Sequence, residues 1–441
     1  MRLLFNSLLV ATTISTVSAK SLKDYSPYKY EVLFTNPVCK TYAYDSPIRT
    51  RNGEVASKTH GAYCKSGDSR RSTNRKNSPL TRLTEWLKDK NTKEIFMTSL
   101  SFSNSKVATE LCNAVKRNVK VTLIIDSNNE ADTGRMAKAR MVSRCEPQNI
   151  PSNEVKNYPT VITAGNIGGI GYAHNKLTVI NPNSVKTVKL AYASGNISSG
   201  LTTHHENWHF VTTSGKSYFV GAHRCLIKGM LDHGKSKSEF KNFIKSCRSK
   251  INAVEEDDAK VFFVPGEGKR AYSFITSAIK KAKLVEGAAH RFSNRVLIDA
   301  LKAKLARDKN TVKFVYDDDV YWTMELRRGT GRNSTYEAKK IKELIKAGMQ
   351  VHYVETSADA VVDATRMQLH HNKYLIFHFE KGGAIFAGAG NFTNSAFEKN
   401  YENFYYISIP EVVQAFKAQY LHMWNNLSKD FLNMPLEYEL P

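Results

Sequence analysis

A histidine and a lysine stand two residues apart twice in this chain, as His174-x-Lys176 in AHNKLTVI and as His371-x-Lys373 in LHHNKYLIFH. Residues two apart on an extended strand share a face, so each pair sets an imidazole beside an ammonium. A Gly-Asn turn follows each pair, ASGNISSG (193–200) and GAGNFTNS (388–395). A strand led by glutamate comes next, HHENWHF (204–210) and NYENFYY (400–406). His174 and His371 are 197 residues apart, Asn196 and Asn391 195, Glu206 and Glu402 196. One His-x-Lys reads as a surface or edge pair, since short motifs recur by chance. Two in the same order of Gly, Asn and Glu do not, because structure has no reason to keep these polar types through a duplication.

The chemistry these residues allow is displacement at phosphorus. One imidazole can attack a phosphodiester and become phosphohistidine. The other, protonated, can protonate the leaving alkoxide and then deprotonate water. Lys176, Lys373, Asn196 and Asn391 supply donors to the non-bridging oxygens, where charge gathers in the transition state. Glu206 and Glu402 are placed to orient the far ring nitrogen of each histidine. A twofold site of this kind needs one histidine from each copy.

The pattern His174-x-Lys176, Gly195-Asn196, Glu206, repeated as His371-x-Lys373, Gly390-Asn391, Glu402, resembles the phospholipase D superfamily over roughly residues 92–410. The resemblance implies two similar αβ repeats, each a mixed sheet flanked by helices, packed about a pseudo-twofold axis with the histidines meeting between them. It also implies His174 as nucleophile, His371 as general acid, Lys176, Lys373, Asn196 and Asn391 on phosphate, and neither metal nor organic cofactor. The family's aspartate after His-x-Lys is missing: Asn181 and His378 stand there. Five residues past the lysine, strand alternation turns that position away from His and Lys, so a supporting role is expected for it.

The elements that must position these residues also read twice. SFSN (101–104) and RFSN (291–294) each precede a helical pattern, then a strand ending in acid, VTLIID (121–126) and VKFVYDDD (312–319). Strands alternating with helices indicate an α/β architecture. The division expected is a signal peptide at 1–19, an extension with little regular structure at 20–90, a first repeat at 91–247, a linker at 248–260, and a second repeat with a C-terminal helix at 261–441. The cluster His204, His205, His209 has no repeat partner and reads as incidental, and GNIGGIG (165–171) as a loop turning into the strand. Asn196 and Asn391 lie in glycosylation sequons, as do Asn333 and Asn426, but modification of the first two would block the site.

Composition bounds the rest. With 441 residues, 41% hydrophobic and 24% charged, the chain can build two cores and is globular, not a disordered chain. Arg2, an apolar run and the small residues ending at Ala19 form a secretory signal, and no later segment is apolar for long enough to span a bilayer. Six cysteines in an exported chain suggest disulfides, most simply between neighbours: 39 with 64, 112 with 145, 225 with 247. None sits in a zinc pattern. The net charge of +23, or +22 without Arg2, favours polyanionic partners.

Two substrate classes fit: phospholipid, met at an anionic membrane surface, or nucleic acid, stacked on aromatics. A long exported chain holding both repeats favours the lipid, with a secreted or periplasmic monomer as the working form. A catalytically silent phosphate-binding protein is the third reading.

Overall fold

The computed structural model describes residues 20–37, 39–43, 60–64, 77–131, 133–148, 159–321, 332–356 and 368–430. The expected signal segment lies outside them. The first half contributes β1 (Lys29–Thr35), a small hairpin of β2 (Lys40–Ala43) and β3 (His60–Tyr63), β4 (Glu94–Ser99), β5 (Lys120–Asp126), β6 (Thr160–Ala164), β7 (Leu177–Ile180), β8 (Thr187–Ala193) and β9 (Glu206–Ser214). The second half contributes β10 (Ala259–Val264), β11 (Leu284–Ala289), β12 (Val312–Asp317), β13 (Gln350–Val354), β14 (Lys373–His378), β15 (Gly383–Gly388), β16 (Glu402–Ile407) and β17 (Ser428–Lys429).

The sheets share one topology. The first runs β1-β9-β8-β7-β4-β5-β6 and the second β10-β16-β15-β14-β11-β12-β13, with β17 added at its edge. In each, three strands pair in parallel, β4-β5-β6 and β11-β12-β13, and the other pairings are antiparallel. Two mixed sheets flanked by helices, repeated in order and direction, are the α/β duplication expected from the sequence.

Regular structure within 20–90 was not expected, yet β1 pairs along its whole length with β9, as β10 pairs with β16. Helix Pro79–Lys88 packs its apolar stripe, Leu80, Leu83 and Leu87, into the first-half core. The partner of β1 lies some 170 residues away along the chain, so no local periodicity announces the pairing.

Burial follows strand alternation. Leu177 and Val179 of β7 point into a core shared by both halves, while Ile180 points into the first half's outer core. In β14, Tyr374 and Ile376 enter the shared core and Leu375 and Phe377 the second half's own. Both faces of these strands are covered, which is why they read as continuous apolar runs. Tyr192 of β8 stacks on Tyr405 of β16 at 3.6 Å between ring centroids, joining the sheets across the middle. Helices Tyr218–Asp232 and Pro410–His422 complete this central layer.

The repeated SFSN and RFSN have a structural meaning. Asn104 caps helix Ser105–Lys116 by accepting from the Val107 amide, and Asn294 caps Arg295–Arg307 by accepting from Leu297. The three disulfides join the expected neighbours, Cys39–Cys64, Cys112–Cys145 and Cys225–Cys247. Such bonds belong to an oxidising compartment outside the cytoplasm. No helix among the described residues is long and apolar enough to cross a membrane.

Candidate active site

The His-x-Lys segments meet where the two halves join. Ala173 forms a parallel bridge with Tyr401, and His370 with His205. The His174 amide donates to the Tyr401 carbonyl and the His371 amide to the His205 carbonyl, both at 3.0 Å. So the residue before each histidine is laced to the residue before the other half's glutamate. The side chains cross in the same way. His174 Nδ1 stands 2.9 Å from Glu402 Oε2, and His371 Nδ1 stands 3.0 Å from Glu206 Oε1. All four are buried, the glutamates completely.

A second crossed layer lies behind the first. Asn403 Oδ1 accepts from the Lys176 amide at 3.1 Å and from Asn175 Nδ2 at 3.3 Å. In mirror fashion, Asn207 Nδ2 donates to Asn372 Oδ1 at 2.9 Å. The asparagine inside each His-Asn-Lys therefore meets the asparagine that follows the other half's glutamate. Sequence reasoning passed over both pairs, although AHNK, HHNK, HEN and YEN repeat them.

Backbone anchors fix the histidines from beneath. Asp126, at the end of β5, accepts from the Ala173 amide at 2.6 Å, and Asp317, at the end of β12, accepts from the His370 amide at 3.0 Å. The acids that close those strands had read only as strand ends. They hold the residue that precedes each histidine.

Gly195 and Gly390 let the glutamates through. A Cβ on Gly195 would overlap the Glu206 carboxylate, and one on Gly390 would press on Glu402 and Phe404. The turns themselves are tied to the SFSN and RFSN segments, where Ser103 and Asn104 donate to the Ile197 carbonyl and Ser293 and Asn294 to Phe392. This places Asn196 and Asn391 beside the glutamates. In each, the buried side-chain Oδ1 has no protein partner, an acceptor left open to a donor group.

Lys176 Nζ donates to the His174 carbonyl at 2.8 Å, and Lys373 Nζ to the His371 carbonyl at 2.6 Å. Burial pushes the Lys176 ammonium down to about 8 against the pull of Glu402, Glu206 and Asp126. Lys373 is driven further, by burial and then by Lys176 beside it. His174 is lowered by burial and partly restored by Glu402. His371 is lowered more strongly, by burial and by Lys373, His290 and His204. The pocket is thus short of negative charge, and an anion would relieve it.

Asn181 and His378 stay out of this group. Asn181, in a left-handed conformation at φ 55°, accepts from the Lys93 and Glu94 amides beyond the end of β7. His378 meets Glu286 at 2.6 Å at the far end of β14. Of the histidine cluster read as incidental, His209 is a core ring stacked on Tyr192 at 4.5 Å. His204 is not incidental: its Nδ1 is 3.5 Å from Glu206 Oε1, and its ring is 5.6 Å from that of His371.

Residues 274–424 match the family model described as "Cardiolipin synthase, PLD-like domain". No curated protein sequence matches the chain. Among solved structures it is similar to phosphatidylserine synthase of Haemophilus influenzae, at 13% identity and TM-score 0.52, over 79% of this chain and 84% of that one. It is also similar to polyphosphate kinase of Porphyromonas gingivalis, at 12% identity and TM-score 0.50, over 79% of this chain but only 46% of the kinase. The Nuc protein of Salmonella typhimurium aligns at 26% identity and TM-score 0.29, over 39% of this chain and 96% of its own.

Proposed function

We propose, for a chain that belongs to the phospholipase D superfamily by the model matched and the fold, that it hydrolyses or transfers phosphodiester bonds of phospholipids through a phosphohistidine. The observation that carries this reading is the pair of crossed dyads, His174 with Glu402 and His371 with Glu206. Each carboxylate on Nδ1 leaves Nε2 as the working nitrogen and stabilises the ring when it gains charge. His174 attacks phosphorus as the leaving alkoxide takes the proton of His371. His371 then draws a proton from water or an alcohol, whose oxygen displaces the enzyme's nitrogen and regenerates His174. Lys176, Lys373, Asn196 and Asn391 hold the non-bridging oxygens.

The fold shared with a phosphatidylserine synthase supports a phospholipid over other phosphodiesters. The basic charge suits an anionic lipid surface, and the disulfides suit work outside the cytoplasm. With both half-sites in one chain, a monomer suffices. The division of roles between the histidines follows the resemblance. In the site without substrate, burial lowers both imidazoles, His174 against the pull of Glu402 and His371 with the push of Lys373.

The test offers purified protein phosphatidylcholine and phosphatidylglycerol vesicles, plasmid and single-stranded DNA, with and without chelator, against His174→Ala. Headgroup release by the wild type alone is expected, with acid-labile phosphate mapping to the peptide of His174. Cleavage of DNA with lipid left intact would replace the substrate class. Turnover of neither would sink the enzyme reading, and phosphate on His371 would reverse the roles.

A further inference from the structure

The two half-sites are not alike around their carboxylates. In one, Asn400 Nδ2 donates to Glu402 Oε1 at 3.1 Å, and His174 takes the other oxygen. The residue at the matching position of the other repeat, two before the glutamate, is His204. Its Nδ1 faces Glu206 Oε1 at 3.5 Å, the same oxygen that His371 Nδ1 approaches at 3.0 Å. Glu206 Oε2 is turned toward Trp208 Nε1 at 3.3 Å. One carboxylate oxygen thus lies between two imidazole nitrogens, and the three atoms are all within 4.8 Å of one another.

We infer that His204, Glu206 and His371 form a binding site for a divalent transition-metal ion of the zinc kind, and that the ion switches the second half-site off. Two imidazoles and a carboxylate are the donors Zn²⁺ prefers. A tetrahedral ion with ligands near 2.0–2.1 Å sets its donors about 3.3 Å apart, between the two contacts measured here. His204 keeps 15% of its side chain exposed and His371 9%, so an ion reaches the site from solvent while Glu206 is held rigidly beneath. Gly200 leaves room for the His204 ring, since a Cβ there would strike its Nδ1. The His290 ring lies 4.9 Å from that of His371, and its Nδ1 has no protein partner. The first half-site has one imidazole and an amide in these places, and an amide is a poor ligand for such an ion.

The consequence for chemistry follows from the nitrogen used. An ion on Nδ1 of His371 displaces Glu206 from its orienting contact and leaves the ring hydrogen on Nε2. That nitrogen then has no lone pair to attack or accept with, and it is a far weaker acid than an imidazolium. This inhibitory consequence rests on the proposed phosphodiesterase; the binding site does not.

The experiment titrates Zn²⁺ calorimetrically into the full chain after chelation and desalting. Co²⁺ serves as a spectroscopic stand-in, because its visible absorption reports tetrahedral nitrogen and oxygen ligation. Wild type is expected to bind one ion, His204→Asn, which copies the first half, to bind at least tenfold more weakly, and Asn400→His to gain a second site. Equal binding by wild type and His204→Asn, or no tetrahedral cobalt spectrum in the wild type, overturns the site. Where turnover is measurable, the ratio of rates without and with Zn²⁺ should fall toward one in His204→Asn. An unchanged ratio overturns the inhibitory role even if binding stands.

Discussion

Glu206 of the first repeat stands 3.0 Å from His371 of the second, and no residue of the second repeat makes that contact with His371 Nδ1 among the described residues. The carboxylate passes Gly195 to get there, and that residue has no room for a methyl group. Gly195→Ala is therefore expected to push Glu206 off His371 and to lower kcat by roughly 10²-fold or more, the usual worth of a positioned acid–base group. Glu206→Gln should show a similar loss without steric strain. Full activity in a folded Gly195→Ala protein, judged by circular dichroism, would contradict the proposed dyad.

Lys176 is expected to set the alkaline limit of substrate capture. Its ammonium is lowered to about 8 by burial, and burial and Lys176 lower Lys373 beside it, so at neutral pH Lys176 is still charged. The charged form lies below the shifted value. kcat/KM for an anionic phosphodiester should thus be flat below pH 8 and fall above it. Lys176→Arg keeps its charge throughout this range and should move the falling limb upward, whatever it does to the maximum. A limb that stays in place in that variant assigns it to another group.

Glu256 makes stability depend on pH away from the site. Fully buried, it accepts from the Phe219 amide at the start of helix Tyr218–Asp232, and burial raises its carboxyl to about 7. Between the ordinary 4.5 and 7 the unfolded chain has released this proton and the folded chain has not. Stability from this group is therefore full below about pH 4.5 and lost as pH rises to 7, by about 3 kcal/mol at most. Urea midpoints at pH 5 and pH 7.5 should differ less in Glu256→Gln than in the wild type.

Asn207 and Asn372 join the repeats by a buried amide pair. Asn372→Ala leaves the Asn207 amide unpaired in the interface, at a cost of about 1–3 kcal/mol. The double variant Asn207→Ala with Asn372→Ala should cost less than the two single variants together, since neither partner is then left stranded. Additive losses in thermal or urea denaturation would show that the pair is not coupled.

Much of this was legible because the chain repeats itself. His174, Lys176, Asn196 and Glu206 could be picked out only against His371, Lys373, Asn391 and Glu402, and the structure brings both histidines and both glutamates together where the halves meet. Which glutamate serves which histidine was not legible, because equal spacing in both repeats fits a straight or a crossed arrangement. The answer lies in the long-range bridges Ala173–Tyr401 and His370–His205, which leave no local signature. Asp126 and Asp317 were visible as acids that close matching strands, but their backbone partners sit 47 and 53 residues further on. His204 was masked by the same logic that found the others: it has no repeat partner in kind, since Asn400 takes its place.

The crossing also bears on how such a chain is made. Synthesis delivers the first repeat before the second, and domains tend to fold in that order. A first repeat on its own would hold His174 with no carboxylate against its ring, and Glu206 with no imidazole to orient. If the proposed mechanism holds, a truncated or half-folded product would be inert toward phosphodiesters, including those of the cell that makes it. On the proposed mechanism, competence would come only once the second repeat has docked on the first and both dyads are formed.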